Sequence, residues 1–324
     1  MQIVINTYGS YLHQHQNCFE LKTEDKKSKI STKKVDSILI TTGVSVSSDA
    51  IKLAIDNNIE IHFLDKYGNS VGKVWHSKLG STTYIRRRQL EVAETEEGTE
   101  IVKKLILKKV DNSIKHLEEL ARHRSEQKKE YIAEKTTKIK KLRSKIEKVA
   151  GLICDVRNKI MGYEGNVGRN YFKCLSYLVA DRYSFSGRSF RPAKDEFNCI
   201  LNYGYGVLYS KVEKACIISG LDPYIGIMHT DGYNKKSFVY DVIEPYRYLI
   251  NKVVMKLFSR KKINNSYFDE LNDGLTLNEA GKKILIKNLN QYFDKKIRHD
   301  GKNMKVQNTI EYNLHKLANE LIVE

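Results

Sequence analysis

Proline and tryptophan are nearly missing from this 324-residue chain, which carries three of the first and one of the second. All three prolines (Pro192, Pro223, Pro245) fall between residues 190 and 250, so the rest of the chain is free of its strongest helix breaker. Cysteine is scarce as well. Five are present (Cys18, Cys154, Cys174, Cys199, Cys216), an odd number without CxxC spacing. That excludes a disulfide framework and a four-cysteine zinc module, and it fits a reducing compartment. No apolar run reaches the roughly 18 residues a membrane-spanning helix needs. The first residues, Met1-Gln2-Ile3-Val4-Ile5-Asn6, lack the basic, apolar and cleavage regions of a secretion signal, so a cytoplasmic protein with no membrane association is expected. GxxxxGK[ST], GxSxG and HExxH are all absent, which leaves a P-loop motor, a serine hydrolase and a zincin unsupported. No internal repeat or low-complexity segment is visible.

Acid is the other shortage. Against 39 Asp and Glu stand 56 Lys and Arg, a formal charge of +17. Such a surplus points to a polyanionic partner, with nucleic acid first among the candidates.

The remaining composition, 41% hydrophobic and 29% charged, is that of a globular chain long enough for about two domains. Residues 1–80 read as β-rich. Gln2 to Asn6, Cys18 to Lys22, Val35 to Ile40 and Ile59 to Leu64 have strand character, and Tyr8-Gly9-Ser10 is a turn. A helix capped by Ser47 or Ser48, with Ile51, Leu53, Ala54 and Ile55 on its buried side, separates the last two strands. Tyr67-Gly68-Asn69-Ser70 turns into a further strand, Val71 to Trp75. Residues 81–98 read as a linker or the start of a helix. Residues 99–324 follow as a helical domain. Within it, Ile101 to Ala150 has neither glycine nor proline and suits two antiparallel helices breaking near His123-Arg124-Ser125. That window holds 16 Lys and Arg against 7 Asp and Glu, so it either meets DNA or presents a solvated face. Further helical patterns run over Leu249 to Phe258, Glu279 to Phe293 and Thr309 to Leu321. The fold class expected is α+β: a small N-terminal β-sandwich-like domain with one helix, then a larger all-α catalytic domain.

Two groups carry candidate chemistry. His13 and His15 would share a strand face, as metal ligands or as two ordinary surface histidines. Glu164, His229 and Glu244, with Asp241 nearby, form the stronger group. Glu164 stands in Met161-Gly162-Tyr163-Glu164-Gly165-Asn166-Val167-Gly168-Arg169-Asn170-Tyr171-Phe172, where small neighbours leave the carboxylate uncrowded. His229 ends the apolar run Gly220-Leu221-Asp222-Pro223-Tyr224-Ile225-Gly226-Ile227-Met228-His229. On a helix, Asp241 and Glu244 would share a face at i, i+3. Carboxylates with one imidazole make an oxygen-rich set suited to Mg2+ or Mn2+. A buried Glu–His hydrogen bond and a helix-starting acid account for the same residues, and no spacing rule joins the three.

These segments resemble the three motifs of the Cas1 family of CRISPR adaptation integrases. Glu164 to Phe172 is similar to E-G-x-A-[AG]-R-x-Y-[FW], with Val167 departing at a small-residue position. Arg191 to Tyr209, Gly220 to His229 and Phe238 to Arg247 resemble the later motifs. Val44 to Ile51 and Ile59 to Asp65 resemble the family's β domain. The resemblance implies Glu164, His229 and Glu244 as catalytic metal ligands for Mg2+ or Mn2+, with Asp241 as an accessory acid. It implies a homodimer that assembles with Cas2 and joins the 3′-hydroxyl ends of short DNA fragments (spacers) to the repeat of a CRISPR array, with DNA cleavage besides. Tyr209 matches a tyrosine near the site in some members and is either a contact to the DNA end or a core aromatic. Lys235, Lys236 and Arg247 beside the ligands either meet phosphate or form local ion pairs. A general metal-dependent nuclease for branched DNA and a non-catalytic DNA-bridging subunit are the competing functions.

Overall fold

A computed structural model describes residues 2–35, 37–64, 70–74, 82–190 and 192–322. The chain divides into two compact units, Met1–Leu79 and Gly80–Glu324. In the first, strands β1 (Gln2–Ile5), β2 (Tyr11–His15), β3 (Cys18–Lys22), β4 (Lys27–Ser31), β5 (Ser37–Ile40) and β6 (Ser45–Val46) precede helix α1 (Ser48–Asp56), β7 (Glu60–Leu64) and β8 (Ser70–Val74). They form two four-stranded sheets, ordered β1-β5-β7-β8 and β4-β3-β2-β6. Ile38 and Ile61 from one sheet and Leu12 and Phe19 from the other meet in one buried core. That shared core makes the unit sandwich-like.

Gln16 and Asn17 both take positive φ (48° and 55°) between β2 and β3, the geometry of a two-residue hairpin turn. The Ser47 side chain caps α1 by accepting from the Ala50 amide at 3.2 Å. Ala50 and Ala54 are its fully buried residues, while Ile51, Leu53 and Ile55 are half-buried, a narrower stripe than the sequence suggests. The expected turn at Tyr67 to Ser70 lies, apart from Ser70 itself, outside the described residues, as does Trp75.

The second unit holds α2 (Thr82–Val92), α3 (Glu96–Ala121), α4 (Glu126–Glu147), α5 (Ile153–Leu178), α6 (Glu196–Ile218), α7 (Ser237–Val242) and α8 (Arg247–Ser259). The hairpin β9 (Phe268–Leu271) and β10 (Gly274–Leu277) follows, then α9 (Glu279–Phe293), β11 (Lys296–His299), β12 (Lys302–Lys305) and α10 (Val306–Ile322). The break between α3 and α4 falls at the expected His123-Arg124-Ser125. Two expectations change. The 81–98 stretch is no linker among its described residues: α2 and the first turn of α3 fill most of it, with Ile85, Gln89 and Val92 buried. Gln89 ties α2 to the helical unit, since its side chain exchanges two hydrogen bonds with the Asp222 backbone, at 3.2 and 2.8 Å. The unit is also mostly helical rather than all-α. Asp300 and Gly301, both at positive φ (46° and 76°), turn β11 into β12.

A carboxylate site closed by a lysine

Helices α3 and α5 and the single 3-10 turn Glu244–Tyr246 after α7 bring the candidate site together. Glu164 stands on α5, half-buried. Val167, the residue that departs from the small-residue pattern, points into the core at 1% exposure. Nothing lies within 4 Å of where a Cβ would stand on Gly162, Gly165 or Gly168. Three glycines lower the stability of an exposed helix by about 1 kcal/mol each, and here they leave the surface around Glu164 bare.

Glu244 is buried at the start of its turn, and Pro245 sets the backbone after it. Both of its oxygens are held by cations. Arg247 Nε donates to Oε1 at 2.7 Å, and Lys109 Nζ donates to Oε2. Lys109 Nζ also donates to Glu164 Oε1, so one ammonium joins the two glutamates. Burial holds Glu244 up, but Lys109 and Arg247 outweigh it and bring the carboxyl well below the usual range. Burial likewise opposes the charge on Lys109, while Glu244 and Glu164 raise its pKa above that of an ordinary lysine.

His229 and Asp241 make a second pair. Asp241 is 2% exposed and accepts the amides of Ile227 and Met228 on Oδ2, at 2.7 and 3.1 Å. On Oδ1 it accepts the His229 amide at 3.0 Å and meets the His229 ring at Nδ1, 2.6 Å away. With both oxygens accepting N–H groups, Asp241 takes the hydrogen bond from Nδ1, so in the neutral ring the hydrogen sits on Nδ1 and the lone pair on Nε2. That is the tautomer a metal-binding or proton-accepting imidazole needs. Gly226 makes the turn possible: a Cβ there would stand 2.1 Å from the His229 carbonyl oxygen. Arg157 Nη2 closes the turn from α5, donating to the Ile227 carbonyl at 3.2 Å.

The expected i, i+3 pair therefore divides its work. Asp241 serves His229, and Glu244 faces Lys109 and Arg247. Among the described residues no three His, Cys, Asp or Glu side chains form a metal-sized cluster, so the expected trio does not stand assembled. The glutamates meet on Lys109 instead. An ammonium bridging two carboxylates marks a position where positive charge is stable, and oxygen donors of this kind suit a hard divalent ion. The residues present fit Mg2+ or Mn2+.

The other expected residues are each engaged. The half-buried Tyr209 ring packs on Tyr240 with centroids 5.3 Å apart, and Tyr240 lies 5.7 Å from the His229 ring. Burial, with Tyr240 adding to it, holds the Tyr209 phenol above its ordinary pKa. Lys236 pairs with the buried Glu213 at 2.9 Å, and Lys235 donates to the Thr230 carbonyl at 2.8 Å. In the N-terminal unit, His13 pairs with Glu20 across β2 and β3 at 2.8 Å, and His15 is exposed. His13 and His15 thus do not act as a pair.

Lys109 is the residue that sequence reading missed. It lies in the basic window taken as a solvated face or a DNA contact. The signal was its place on the apolar stripe Val102, Ile106, Val110, Leu117, where a lysine is out of character. Arg188 was missed too. It is held by Asn198 and by Asn202, the latter at 2.6 Å, and its guanidinium lies 5.4 Å from the Tyr205 ring. Arg247 approaches the same ring at 4.9 Å.

A small β-sandwich-like unit, a helical unit and a histidine–carboxylate site define the class of protein. The family model described as CRISPR associated protein Cas1 matches residues 3–291. The CRISPR-associated endonuclease Cas1 1 of Archaeoglobus fulgidus is 31% identical over 317 residues, covering 94% of this chain and 91% of its own. The structure is similar to a CAS1 protein from Thermotoga maritima, with a TM-score of 0.81 at 24% identity over 100% of this chain and 98% of the other. It is equally similar to a casposase bound to integration product, with a TM-score of 0.81 at 22% identity over 99% and 90%. The chain belongs to the Cas1 family.

Proposed function

We propose that this chain is a metal-dependent DNA integrase and endonuclease of CRISPR adaptation, joining 3′-hydroxyl ends of short DNA fragments to the repeat of a CRISPR array. Membership of the Cas1 family supports the reading, as do the endonuclease named in Archaeoglobus and the casposase with its integration product. One observation carries the site: Glu164 and Glu244, from α5 and the turn after α7, converge on a single cation. In this reading Glu164, Glu244 and His229 Nε2 hold Mg2+ or Mn2+, which supplies Lewis acidity at a phosphoryl oxygen. Asp241 keeps the His229 ring turned and in the right tautomer. Arg247 fixes Glu244 from the side opposite Lys109. Tyr209 and Lys235 border the DNA end; among the described residues Lys235 pairs with no carboxylate, so its charge is available to phosphate.

The reaction is a transesterification. The fragment's 3′-oxygen forms a new bond to phosphorus as the repeat strand's P–O3′ bond breaks, and the proton of the attacking hydroxyl ends on the leaving oxygen or water. Positioning and charge do the work, without a covalent enzyme intermediate. A homodimer assembled with Cas2 is the working form in this proposal.

The test uses supercoiled plasmid bearing a repeat array, a labelled duplex with free 3′-hydroxyls and the Cas2 partner, in Mg2+, Mn2+ or EDTA. Label should join the plasmid only with metal, and Glu164→Ala, His229→Ala and Glu244→Ala should each lower joining at least ~100-fold. Metal-dependent nicking without joining would favour the general nuclease. Joining by His229→Ala at the wild-type rate would overturn the site.

A further inference from the structure

Lys109 is a half-buried cation with two anionic partners from different elements. Its side chain is 14% exposed, against 25% for Glu164 and 8% for Glu244. We infer that Lys109 is the resident counter-ion of the site: its ammonium holds Glu164 and Glu244 together when no divalent ion is bound, and competes with that ion for the same two carboxylates. The inference rests on the metal reading above and goes beyond it, since it assigns a residue that sets how tightly the ion is held.

A buried and a half-buried glutamate facing one another repel, and a positive charge between them lets both stay ionised. Arg247 bonds Glu244 Oε1 and acts on Glu164 only through space, so among the described residues the ammonium of Lys109 is the cation bonded to both carboxylates. An ammonium bonded to Glu164 Oε1 and Glu244 Oε2 occupies one oxygen of each carboxylate, so an ion held by the same two groups would contend with it. The two cations also repel each other at such short range, where burial weakens screening. Divalent binding therefore exchanges one cation for another instead of filling an unmet charge.

The elements do not depend on Lys109 to meet. Asn112, one turn further along α3, donates through Nδ2 to the Pro245 carbonyl at 2.9 Å and pins the turn that carries Glu244. Ile106 and Val110 on either side of Lys109 are buried in the core. A variant lacking the ammonium thus keeps its scaffold and loses only the charge.

The test is Mn2+ binding to the purified full-length chain, by calorimetry and by the loss of the free-ion resonance signal. Wild type, Lys109→Met, Lys109→Arg and Glu164→Gln would be compared, with thermal unfolding recorded in EDTA and in saturating Mn2+. Competition predicts that Lys109→Met binds Mn2+ about tenfold tighter. It should also melt lower in EDTA and gain more from Mn2+ than wild type does. Lys109→Arg should bind no tighter than wild type. Should Lys109→Met fail to fold, Lys109→Gln carries the same prediction, because the amide can still donate while lacking charge. Equal or weaker binding by the neutral variants, with binding still lost in Glu164→Gln, would overturn the competition and leave the metal site standing. No Mn2+ binding by wild type or the neutral variants would remove the metal reading, and this inference with it.

Discussion

Asp241 satisfies three backbone amides and a ring nitrogen with two oxygens, so a single-atom change at this side chain disturbs the whole turn. Asp241→Asn puts an NH2 against N–H groups, and a buried donor left unmatched costs about 1–3 kcal/mol. The variant should melt lower and join DNA about 10- to 100-fold more slowly, the usual loss when the residue orienting a ligand histidine is changed. Melting curves and the plasmid assay check both. Gly226→Ala tests the same turn from the backbone. A Cβ 2.1 Å from a carbonyl oxygen and 2.6 Å from the Ser237 Cβ cannot be accommodated without moving His229, so joining should fall while the fold persists by circular dichroism. The segments that carry Glu164, His229, Asp241 and Glu244 were recognisable in sequence as motifs of the family. Their division of labour was not. Nothing local says that Asp241 faces a ring while Glu244, three residues on, faces two cations.

Helix α3 shows what a single element contributes. Lys109, Asn112 and His116 follow one another down its inward side, reaching the glutamates, the Pro245 carbonyl and the Tyr171 hydroxyl respectively. Beyond Tyr171, Asn251 and Tyr205 continue a buried hydrogen-bonded chain at 3.0 and 2.7 Å. Burial, with Lys252 adding to it, brings His116 from 6.5 to about 3. The folded state therefore holds His116 neutral where the unfolded chain takes up a proton. Its contribution to stability is complete above pH 6.5 and is lost as pH falls from 6.5 towards 3. Urea unfolding between pH 4 and 7 should show stability rising with pH, and His116→Asn should flatten that slope whatever its own stability. Whereas α5 and α6, which carry glycines within their motifs, were not read as helices, α3, α4, α8, α9 and α10 were legible from periodicity and from the lack of proline. Strand β4, Lys27-Ser28-Lys29-Ile30-Ser31, was not, because a lysine-rich edge strand gives up hydrophobic alternation to avoid pairing with other chains.

At the scale of the whole molecule, +17 is only partly spent inside the fold. Arg143 with Asp111, Lys129 with Glu126 and Lys138 with Glu134 are exposed pairs of the α3–α4 hairpin, which water and salt screen so that they add little to stability. The surplus remains for phosphate. Binding to duplexes of unrelated sequence should be comparable and steeply salt-dependent, with a log–log slope of about −4.5 if ~5 phosphates are neutralised. Fluorescence anisotropy from 50 to 300 mM salt, an order-of-magnitude range for such contacts, measures it. A flat salt response or strong sequence preference would count against a backbone-reading surface. No helix among the described residues is long and apolar enough to cross a membrane.

What the amino-acid sequence determined by itself is local or compositional. It set the strands and helices, through side-chain period and caps, the motifs that mark the family, and the charge that calls for a polyanion. The tertiary structure decided which charges meet. Lys109 lies 55 residues from Glu164 and 135 from Glu244, far beyond any periodicity that links neighbours along a helix or strand. Its place follows from packing α3 against α5 and the Glu244 turn, and only that packing turns one lysine of a basic helix into the cation between two glutamates from distant segments.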